Sequence, residues 1–413
     1  MADSIAGIDV HKRVLMVVVG TLRGAAEPEL IEFTHRKFGT TSSELLHLQA
    51  WLQAQGAEEV VMESTAQYWK PVWLALEERF RLRLAQAWSN RAPRGRKTDF
   101  KDAQRLVRRH RAGELTLSFV PDAEQRLMRT LMRRRTQLTR DRVRIQNQVE
   151  SLLEETRIKL SSVVSDLFGG SGLRILAALA QGERDPAQLA SLADSRVQCS
   201  AEQLTDALTG VVSPIHQRVL QQHLDHLKLI DEQREELLQL AATAMHEHQA
   251  AVTRLSSIPG IRVLTAQQIV AEAGPQASAF PTAAQFSSWI GVCPGRSESA
   301  GENHSSHCAK GNMYLRRVLA QAAQAAVKTK NSYFQVRFRR LLPRLGYVKS
   351  IWAIARNLSV AIWKILHEGV EYVERGQATT AQSAQRRLQR LKRELRLLGY
   401  SDDLKPIQAA ALA

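Results

Sequence analysis

Cysteine is scarce in this chain, with three among 413 residues, at Cys199, Cys293 and Cys308. An odd number of widely spaced cysteines gives no disulfide framework and fits a reducing cytoplasm. Long hydrophobic runs are also missing, since the apolar stretch at residues 14–19 is far shorter than the roughly 20 residues that cross a bilayer. No basic segment followed by an apolar one opens the chain, so no secretory signal is expected. The sequence therefore argues against membrane, secreted and fibrous proteins, and no membrane partner is expected.

Acidic residues are outnumbered, with 41 Asp and Glu against 57 Lys and Arg, which gives a formal net charge of +16. Such an excess predicts a polyanionic partner, because Lys and Arg release condensed counterions when they neutralise phosphates. A basic chain kept soluble by its charge is the alternative. The charge is clustered, with twelve Lys or Arg at residues 79–111, eight Arg at 126–144 and six Lys or Arg at 386–396. Clusters of this kind usually follow a nucleic-acid backbone, although a solvated helix face could carry any one of them.

Strand and helix patterns alternate over the first hundred residues. Three β-rich segments follow one another without room for helices between them, which predicts an antiparallel meander. The predicted strands cover residues 5–10, 14–19, 30–33, 58–62 and 82–85, and the predicted helices cover 42–55, 67–79 and 99–111. This pattern predicts a mixed α/β domain at the start of the chain.

Helical patterns dominate after Pro121. Residues 123–157 contain no Pro or Gly and are rich in Arg, Gln, Glu and Leu, which predicts a long helix or coiled coil. A second long helical run covers residues 217–248, and two such helices predict an antiparallel coiled-coil arm or an oligomerisation stalk. Turn signals return near residue 258, and further helices are predicted at 314–330 and 351–367.

Four carboxylates occupy positions that call for an explanation. Asp9 lies among apolar residues of the first strand, where a charge needs a partner, and Glu63 follows the strand at 58–62. Asp99 and Asp102 open a helix at i, i+3 spacing, which places their Cβ atoms about 5–6 Å apart on one face. Hard oxygen ligands of this kind suit Mg²⁺, and two such ions about 3.5–4 Å apart can stabilise the attacking and leaving oxygens of a phosphoryl transfer.

Each acid also has a structural interpretation. Asp99 can act as an N-cap or as a partner of the helix dipole. Glu63 can cap the following turn or form a salt bridge with an arginine. Asp9 is the hardest of the four to explain structurally.

A loop of small residues at 293–302 contains Ser299, flanked by Ala300 and Gly301. A hydroxyl in such surroundings is sterically open, as a nucleophile must be. No His or Asp follows at a spacing typical of a catalytic triad. On the loop alone, Ser299 is interpreted as an ordinary loop serine.

Short motifs run nearly from end to end of the chain. They are Gly7-Ile8-Asp9-Val10-His11-Lys12, Met62-Glu63-Ser64-Thr65, Gly95-Arg96-Lys97-Thr98-Asp99, Ile258-Pro259-Gly260-Ile261, Gly291-Val292-Cys293-Pro294-Gly295, Glu298-Ser299-Ala300-Gly301 and Lys310-Gly311-Asn312. In this order and spacing they resemble the IS110 family of insertion-sequence transposases, also called DEDD transposases.

The resemblance implies an α/β N-terminal domain of the ribonuclease-H-like (RuvC-like) fold, then a mainly α coiled coil, then an α-helical C-terminal transposase domain. The expected boundaries are residues 1–115 for the RuvC-like domain, 121–250 for the helical coiled-coil region and 253–376 for the transposase domain. A basic C-terminal helix and tail are expected at 377–413.

The resemblance also implies the site residues. It assigns Ser299 as the nucleophile that forms a 5′-phosphoserine link to DNA, with Ser297 as the alternative if the register of the loop differs by two. Glu302 departs from the family pattern, which often has Lys there, and a negative charge beside the nucleophile would repel phosphate. The implied ligands of a Mg²⁺ ion, with Mn²⁺ as an alternative, are Asp9, Glu63, Asp99 and Asp102.

The implied function is RNA-guided recombination. Donor and target DNA are expected partners, together with a structured bridge RNA from the non-coding end of the element. A homo-oligomer is expected, a tetramer built from dimers, in the bacterial cytoplasm and associated with the nucleoid.

Two alternatives to this function stay open. One is a metal-dependent nuclease of the Holliday-junction type, in which water attacks without a covalent intermediate. The other is a basic DNA- or RNA-binding protein whose acids are caps and salt bridges.

Overall fold

A computed structural model divides the chain into two units, Met1–Pro121 and Asp122–Ala413. It describes residues 4–23, 30–63, 66–90, 99–295, 297–299, 302–305, 308, 310–374 and 381–401. For positions 23, 30, 99, 297–299, 302–305, 381–384, 386 and 387 it describes the backbone alone. No helix within these ranges is both long enough and apolar enough to span a membrane.

The first unit is built on a mixed β-sheet. Its elements are β1 (Ser4–Val10), β2 (Val14–Arg23), β3 (Leu30–Gly39), α1 (Ser42–Ala54), β4 (Glu59–Glu63), α2 (Trp69–Leu76), β5 (Arg81–Ala85), a short 3-10 helix (Ala87–Asn90) and α3 (Asp99–Arg111). The strand order is β3-β2-β1-β4-β5, with β1 to β3 antiparallel and with β4 parallel to both β1 and β5. The predicted meander and the mixed α/β character of this unit are confirmed.

Helices cover both faces of this sheet. Because side chains alternate along a strand, β1 sends successive residues into two different cores. The core on one face contains Ile8 of β1 with Leu48 of α1 and Leu76 of α2. The core on the other face contains Ile5 of β1 with Leu106 of α3. The predicted helix at 99–111 therefore packs on this second face of the sheet.

Gly7 allows α3 to lie directly on the backbone of β1. A Cβ atom at this position would lie 2.4 Å from the carbonyl oxygen of Ala103 and 2.8 Å from Cγ2 of Val107. No side chain fits in that space without moving the helix. The glycine of the first motif therefore fixes how closely α3 approaches the strand that carries Asp9.

The second unit is mostly helical. Its elements are α4 (Ala123–Glu155), α5 (Leu160–Val163), α6 (Gly170–Gln181), α7 (Pro186–Ser191), α8 (Ala201–Ala207), α9 (Pro214–Ala244), a 3-10 turn (His246–His248), α10 (Gln249–Ser256), α11 (Val263–Ala273), α12 (Ala283–Ile290), β6 (Ser297–Ser299), β7 (Glu302–Ser305), α13 (Met313–Ala326), α14 (Tyr333–Glu368) and α15 (Ala381–Leu397). Helix α14 is interrupted at Gly346, whose φ of 71° is not helical.

The two long helices predicted at 123–157 and 217–248 are present as α4 and α9, and they run antiparallel. Near the start of α4, Met128 shares an apolar cluster with Met245, which follows α9. In the middle, Nε of Arg142 donates to Oδ1 of Asp231 at 2.8 Å. Near the end of α4, Val149 shares a cluster with Leu220 at the start of α9. Residues nearer the end of α4 thus contact residues nearer the start of α9, as expected for antiparallel helices.

Candidate functional site

Asp9 and Glu63 lie at the carboxyl ends of two neighbouring parallel strands. The register pairs Gly7 of β1 with Val61 of β4, so its continuation by two residues brings Asp9 opposite Glu63. Both acids therefore share the sheet face of Gly7 and Val61, which is the face that α3 covers. Nε2 of His11 lies 3.3 Å from Oδ2 of Asp9.

The direction of α3 brings its first turns toward the same end of the sheet. Near the last turn of α3, Nε2 of His110 lies 3.2 Å from Oε2 of Glu59, the first residue of β4. Since α3 and β4 therefore run in opposite directions, Asp99 and Asp102 at the start of the helix lie toward the end of β4. Asp102 is buried, with 6% of its surface exposed. For Asp99 the backbone alone is described.

Asn90 and Arg105 connect Glu63 with Asp102. Nδ2 of Asn90 donates to Oε2 of Glu63 at 2.9 Å. Nε of Arg105 donates to the carbonyl and the side-chain oxygen of Asn90 at 3.1 and 3.2 Å. A second nitrogen of Arg105 donates to Oδ1 of Asp102 at 2.6 Å. Neither Asn90 nor Arg105 stands out in the sequence, because no local pattern marks a residue that contacts distant acids.

The carboxylates have the right chemistry for a divalent cation, although the described side chains do not already form a cage. Among the described residues, no group of three or more His, Cys, Asp or Glu side chains is close enough to share a metal ion. The side chain of Asp99 lies outside the described residues. Oxygen donors at one edge of a sheet and on the facing helix still fit Mg²⁺. Arg105 holds Oδ1 of Asp102, so binding of a metal ion through this oxygen would require Arg105 to move.

The predicted nucleophile belongs to a short hairpin in the second unit. Strands β6 and β7 pair antiparallel, and Ser299 is the backbone partner of Glu302. The side chains of Ser297, Ser299 and Glu302 lie outside the described set, as does all of Ala300. The register nevertheless pairs the residue that departs from the family pattern directly with the predicted nucleophile.

The Lys310-Gly311-Asn312 motif holds the base of this loop. A Cβ atom on Gly311 would lie 2.4 Å from the backbone nitrogen of Gly291, so the two chain segments touch backbone to backbone. Oδ1 of Asn312 accepts two backbone N–H groups in the first turn of α13, at 3.0 and 3.1 Å. Its Nδ2 donates to Oε2 of Glu272 at 2.8 Å. The motif therefore combines a close approach, a helix cap and a bond to a buried acid.

Glu272 is a buried acid that the sequence patterns missed. It is 3% exposed, and Arg133 donates to both of its carboxylate oxygens at 2.7 Å. Arg129 also lies against it, with Nε 3.5 Å from Oε2, and donates to the backbone carbonyl of Glu272. The available signal was a lone acid among the apolar residues at 269–273, since a buried carboxylate requires a partner. Helix α4 is thereby fixed to the base of the serine loop.

Burial and pairing act differently on the two arginines. Burial lowers the pKa of Arg129 to about 10, although the nearby Glu272 opposes the change. Burial also acts to lower the pKa of Arg133, but its hydrogen bonds to Glu272 and the negative charge there outweigh burial, so the pKa is raised. The guanidinium group of Arg133 therefore stays charged across the physiological pH range.

Two family profiles match separate segments of the chain. The DEDD transposase profile of the IS110 family, described as Transposase, matches residues 6–158. A second profile, described as Transposase IS116/IS110/IS902 family, matches residues 252–339. Together they cover more than half of the 413 residues. The chain belongs to the IS110 family of transposases. It is therefore an enzyme of the class that cleaves and rejoins DNA.

Transposases of two bacteria are similar to this IS110-family chain. A probable family 20 transposase of Pseudomonas aeruginosa is 27% identical over 274 residues, which are 65% of this chain and 71% of that protein. The transposase for insertion sequence element IS1111A of Coxiella burnetii is 26% identical over 276 residues, 65% of this chain and 66% of that protein. Among solved structures, Thermus thermophilus RuvC aligns with 28% of this chain and 99% of its own, at 13% identity and a TM-score of 0.23.

The predicted site residues of this IS110-family chain fall within the two matched segments. Ser299 lies in the second, at residues 252–339. The first, at residues 6–158, contains the four acids Asp9, Glu63, Asp99 and Asp102.

Gly7→Ala is expected to lower the free energy of unfolding by about 1–3 kcal/mol, because the new methyl group pushes α3 away from β1. Urea denaturation of the purified protein measures this loss. Gly170→Ala is the matched control, since a Cβ atom at the start of α6 has its nearest neighbour at an ordinary 3.6 Å. Equal stability of the Gly7 variant and the wild type would contradict the close helix–strand contact.

Proposed function

We propose that this transposase recombines donor and target DNA through a phosphoserine intermediate at Ser299, with a divalent metal held by Asp9, Glu63, Asp99 and Asp102. One observation carries the metal-site part of the proposal. Asp9 and Glu63 end adjacent strands on one sheet face, and the helix that covers this face begins at the same edge. A structural role for the acids does not require them to gather at one edge of the sheet.

The four acids would hold Mg²⁺, or Mn²⁺ in its place, through carboxylate oxygens. When bound, the ion supplies positive charge that neutralises the scissile phosphate as charge develops on it. Arg105 positions Asp102 before the ion binds and keeps this buried carboxylate paired. Asn90 does the same for Glu63 by donating a hydrogen bond to one oxygen.

Ser299 would supply the nucleophile. Its Oγ forms a bond to phosphorus and loses its proton, while the bond from phosphorus to O3′ breaks and this oxygen leaves as a hydroxyl. The 5′-phosphate stays on the serine, so the energy of the phosphodiester bond is retained without ATP. A 3′-hydroxyl of the exchanged strand then attacks the same phosphorus and releases the serine. The reaction is balanced, since one phosphodiester is consumed and one is formed.

The acids and the serine lie in different units, and Ser299 is 197 positions beyond Asp102 in the chain. Folding or association must therefore bring them together. We propose a tetramer built from dimers, in which the metal domain of one subunit completes the serine site of another. The antiparallel pair α4 and α9 would extend as the coiled-coil arm of such an assembly.

The domain boundaries follow the same proposal. A RuvC-like, ribonuclease-H-like domain covers residues 1–115, the coiled-coil region 121–250 and the transposase domain 253–376, with the basic helix and tail at 377–413. A structured bridge RNA would pair with donor and target DNA and would bind through the basic clusters. The enzyme would act in the cytoplasm at the nucleoid.

A second candidate is a metal-dependent junction nuclease, in which the same acids act and water attacks the phosphate. The DEDD family match and the gathering of Asp9 and Glu63 favour it equally well, because neither involves the serine loop. The two candidates differ in one observable, since only serine attack leaves protein covalently joined to DNA.

Removal of divalent metal is expected to reduce strand cleavage more than about 100-fold, because the ion contributes several kcal/mol of transition-state stabilisation. Protein co-expressed with the DNA that flanks its gene, so that any guide RNA is present, is treated with EDTA and given labelled junction DNA. Addition of Mg²⁺ or Mn²⁺ in excess of EDTA should restore cleavage. Cleavage that persists fully in EDTA would contradict a metal role for the four acids.

A further inference from the structure

An arginine-lined cavity of about 250 Å³ lies in the second unit. Helices α4, α9, α11 and α13 form its walls. Four arginines contribute to the lining, opposed by one acid, Glu272. The four are Arg133, Arg135, Arg234 and Arg317. We call this space the arginine cavity.

The single acid does not balance these charges. Arg133 occupies both oxygens of Glu272. Arg234 is paired outside the lining, since one of its terminal nitrogens donates to Asp231 at 2.7 Å. Within the described part of the chain, the guanidinium groups of Arg135 and Arg317 form no hydrogen bond and no ion pair. The cavity therefore contains two guanidinium groups that have no salt-bridge partner among the described residues.

Two hydrogen-bond donors of the residues that line the cavity also lack an acceptor. The Nε atoms of Arg135 and Arg234 are both buried, and neither has a hydrogen-bond partner. Burial lowers the pKa of Arg135, and the positive charge of Arg234 lowers it further, against the opposing effect of Glu235. Two cations thus face each other in a partly dry space, an arrangement that an anion between them would stabilise.

A groove continues from the cavity along α4. It is lined by Arg140, Arg144, Asn147 and Ser151, and Arg317 belongs to both the cavity and the groove. From Arg135 to Ser151 the helix rises about 24 Å at 1.5 Å per residue. A row of cations and neutral donors of this length suits an extended polyanion better than a small anion.

We propose that the arginine cavity binds a phosphodiester group of a nucleic-acid strand that continues along the α4 groove. The planar guanidinium groups of Arg135 and Arg317 can each donate two parallel hydrogen bonds to the phosphate oxygens. This inference rests on the proposed function, because it assigns a strand-binding surface to the same enzyme. DNA and RNA share this chemistry, and the experiment separates them.

The test compares Arg135→Gln with Arg134→Gln. Both substitutions remove one charge from neighbouring positions of α4, but Arg134 is exposed and does not line the cavity. Fluorescence anisotropy with labelled 30-mers of duplex DNA, single-stranded DNA and RNA gives the affinities between 50 and 200 mM salt. Arg135→Gln should weaken binding about 10-fold and lower the salt slope by about 1. Arg134→Gln should change affinity by less than about twofold.

Two further variants keep the test independent of folding. Arg317→Gln, on the opposite wall, should cause a loss similar to that of Arg135→Gln. Arg135→Lys keeps the charge but loses the planar fork, so it should recover only part of the affinity. Urea denaturation of each variant identifies any variant that is unfolded. The affinities of the folded variants then test the inference.

The outcomes are distinct. A loss with both DNA and RNA supports a backbone phosphate as the ligand, and a loss with one of them identifies the strand. Equal effects of the Arg134 and Arg135 variants would overturn the inference, as would a wild-type protein that binds none of the three probes. A protein that binds through Arg135 but shows no metal-dependent cleavage would keep this inference and contradict the proposed function.

Discussion

Asp102→Asn is expected to reduce DNA strand cleavage more than about 100-fold while nucleic-acid affinity stays within about twofold of the wild type. The substitution keeps the size of the side chain but removes the charge that a metal ion requires. Asp102 is buried and bound by Arg105, so it adds little to the surface that meets a polyanion. Cleavage of labelled junction DNA and anisotropy binding, measured on the same preparations, test the two halves of this expectation.

Strand β4 provides a matched control for this expectation. Glu63 and Glu59 end the same strand at opposite ends and share the face toward α3. Although burial acts to raise the pKa of Glu59, hydrogen bonds from Arg83 and His110 leave it lowered, so Glu59 is also a paired acid. Glu63→Gln should lose cleavage as Asp102→Asn does, and Glu59→Gln should keep most of it. Equal losses for both glutamates, or normal cleavage by Asp102→Asn, would remove these acids from a metal site.

Ser299→Ala is expected to abolish the covalent protein–DNA adduct, because no other hydroxyl at that position can take the phosphate. The adduct is measured as labelled DNA that migrates with the protein in SDS gels. Ser297→Ala is the matched control, since both serines belong to β6 and are two positions apart. It should keep the adduct. The opposite pattern, with adduct lost only in the Ser297 variant, would make Ser297 the nucleophile.

Sequence patterns predicted the first unit well because each strand and helix there has a strong local signal. The β-branched runs of β1 and β2 are separated by polar residues, and the helix at 99–111 matches α3 at both ends. The helix predicted at 351–367 lies within the second part of α14, which follows the kink at Gly346. The helical part of α14 from Tyr333 to this kink was not predicted, because Pro343 and Gly346 are typical helix breakers.

The candidate site was predictable only in part. Asp9 and Glu63 were identifiable because a charge within or directly after an apolar strand is unusual. Asn90, which is 27 residues from its partner Glu63, was not identifiable, because contacts between loops depend on the fold. The same holds for Glu272 and Arg133, which are 139 residues apart. Tertiary contacts of this kind leave no periodic trace in a sequence.

The measurement that tests serine chemistry most directly is the identification of the amino acid joined to DNA. Wild-type protein co-expressed with the DNA flanking its gene is incubated with junction DNA and Mg²⁺, denatured in SDS and digested for mass spectrometry. We expect a peptide that carries a nucleotide on Ser299, formed only when divalent metal is present. Efficient metal-dependent cleavage with no protein-linked DNA would contradict the phosphoserine intermediate and favour attack by water.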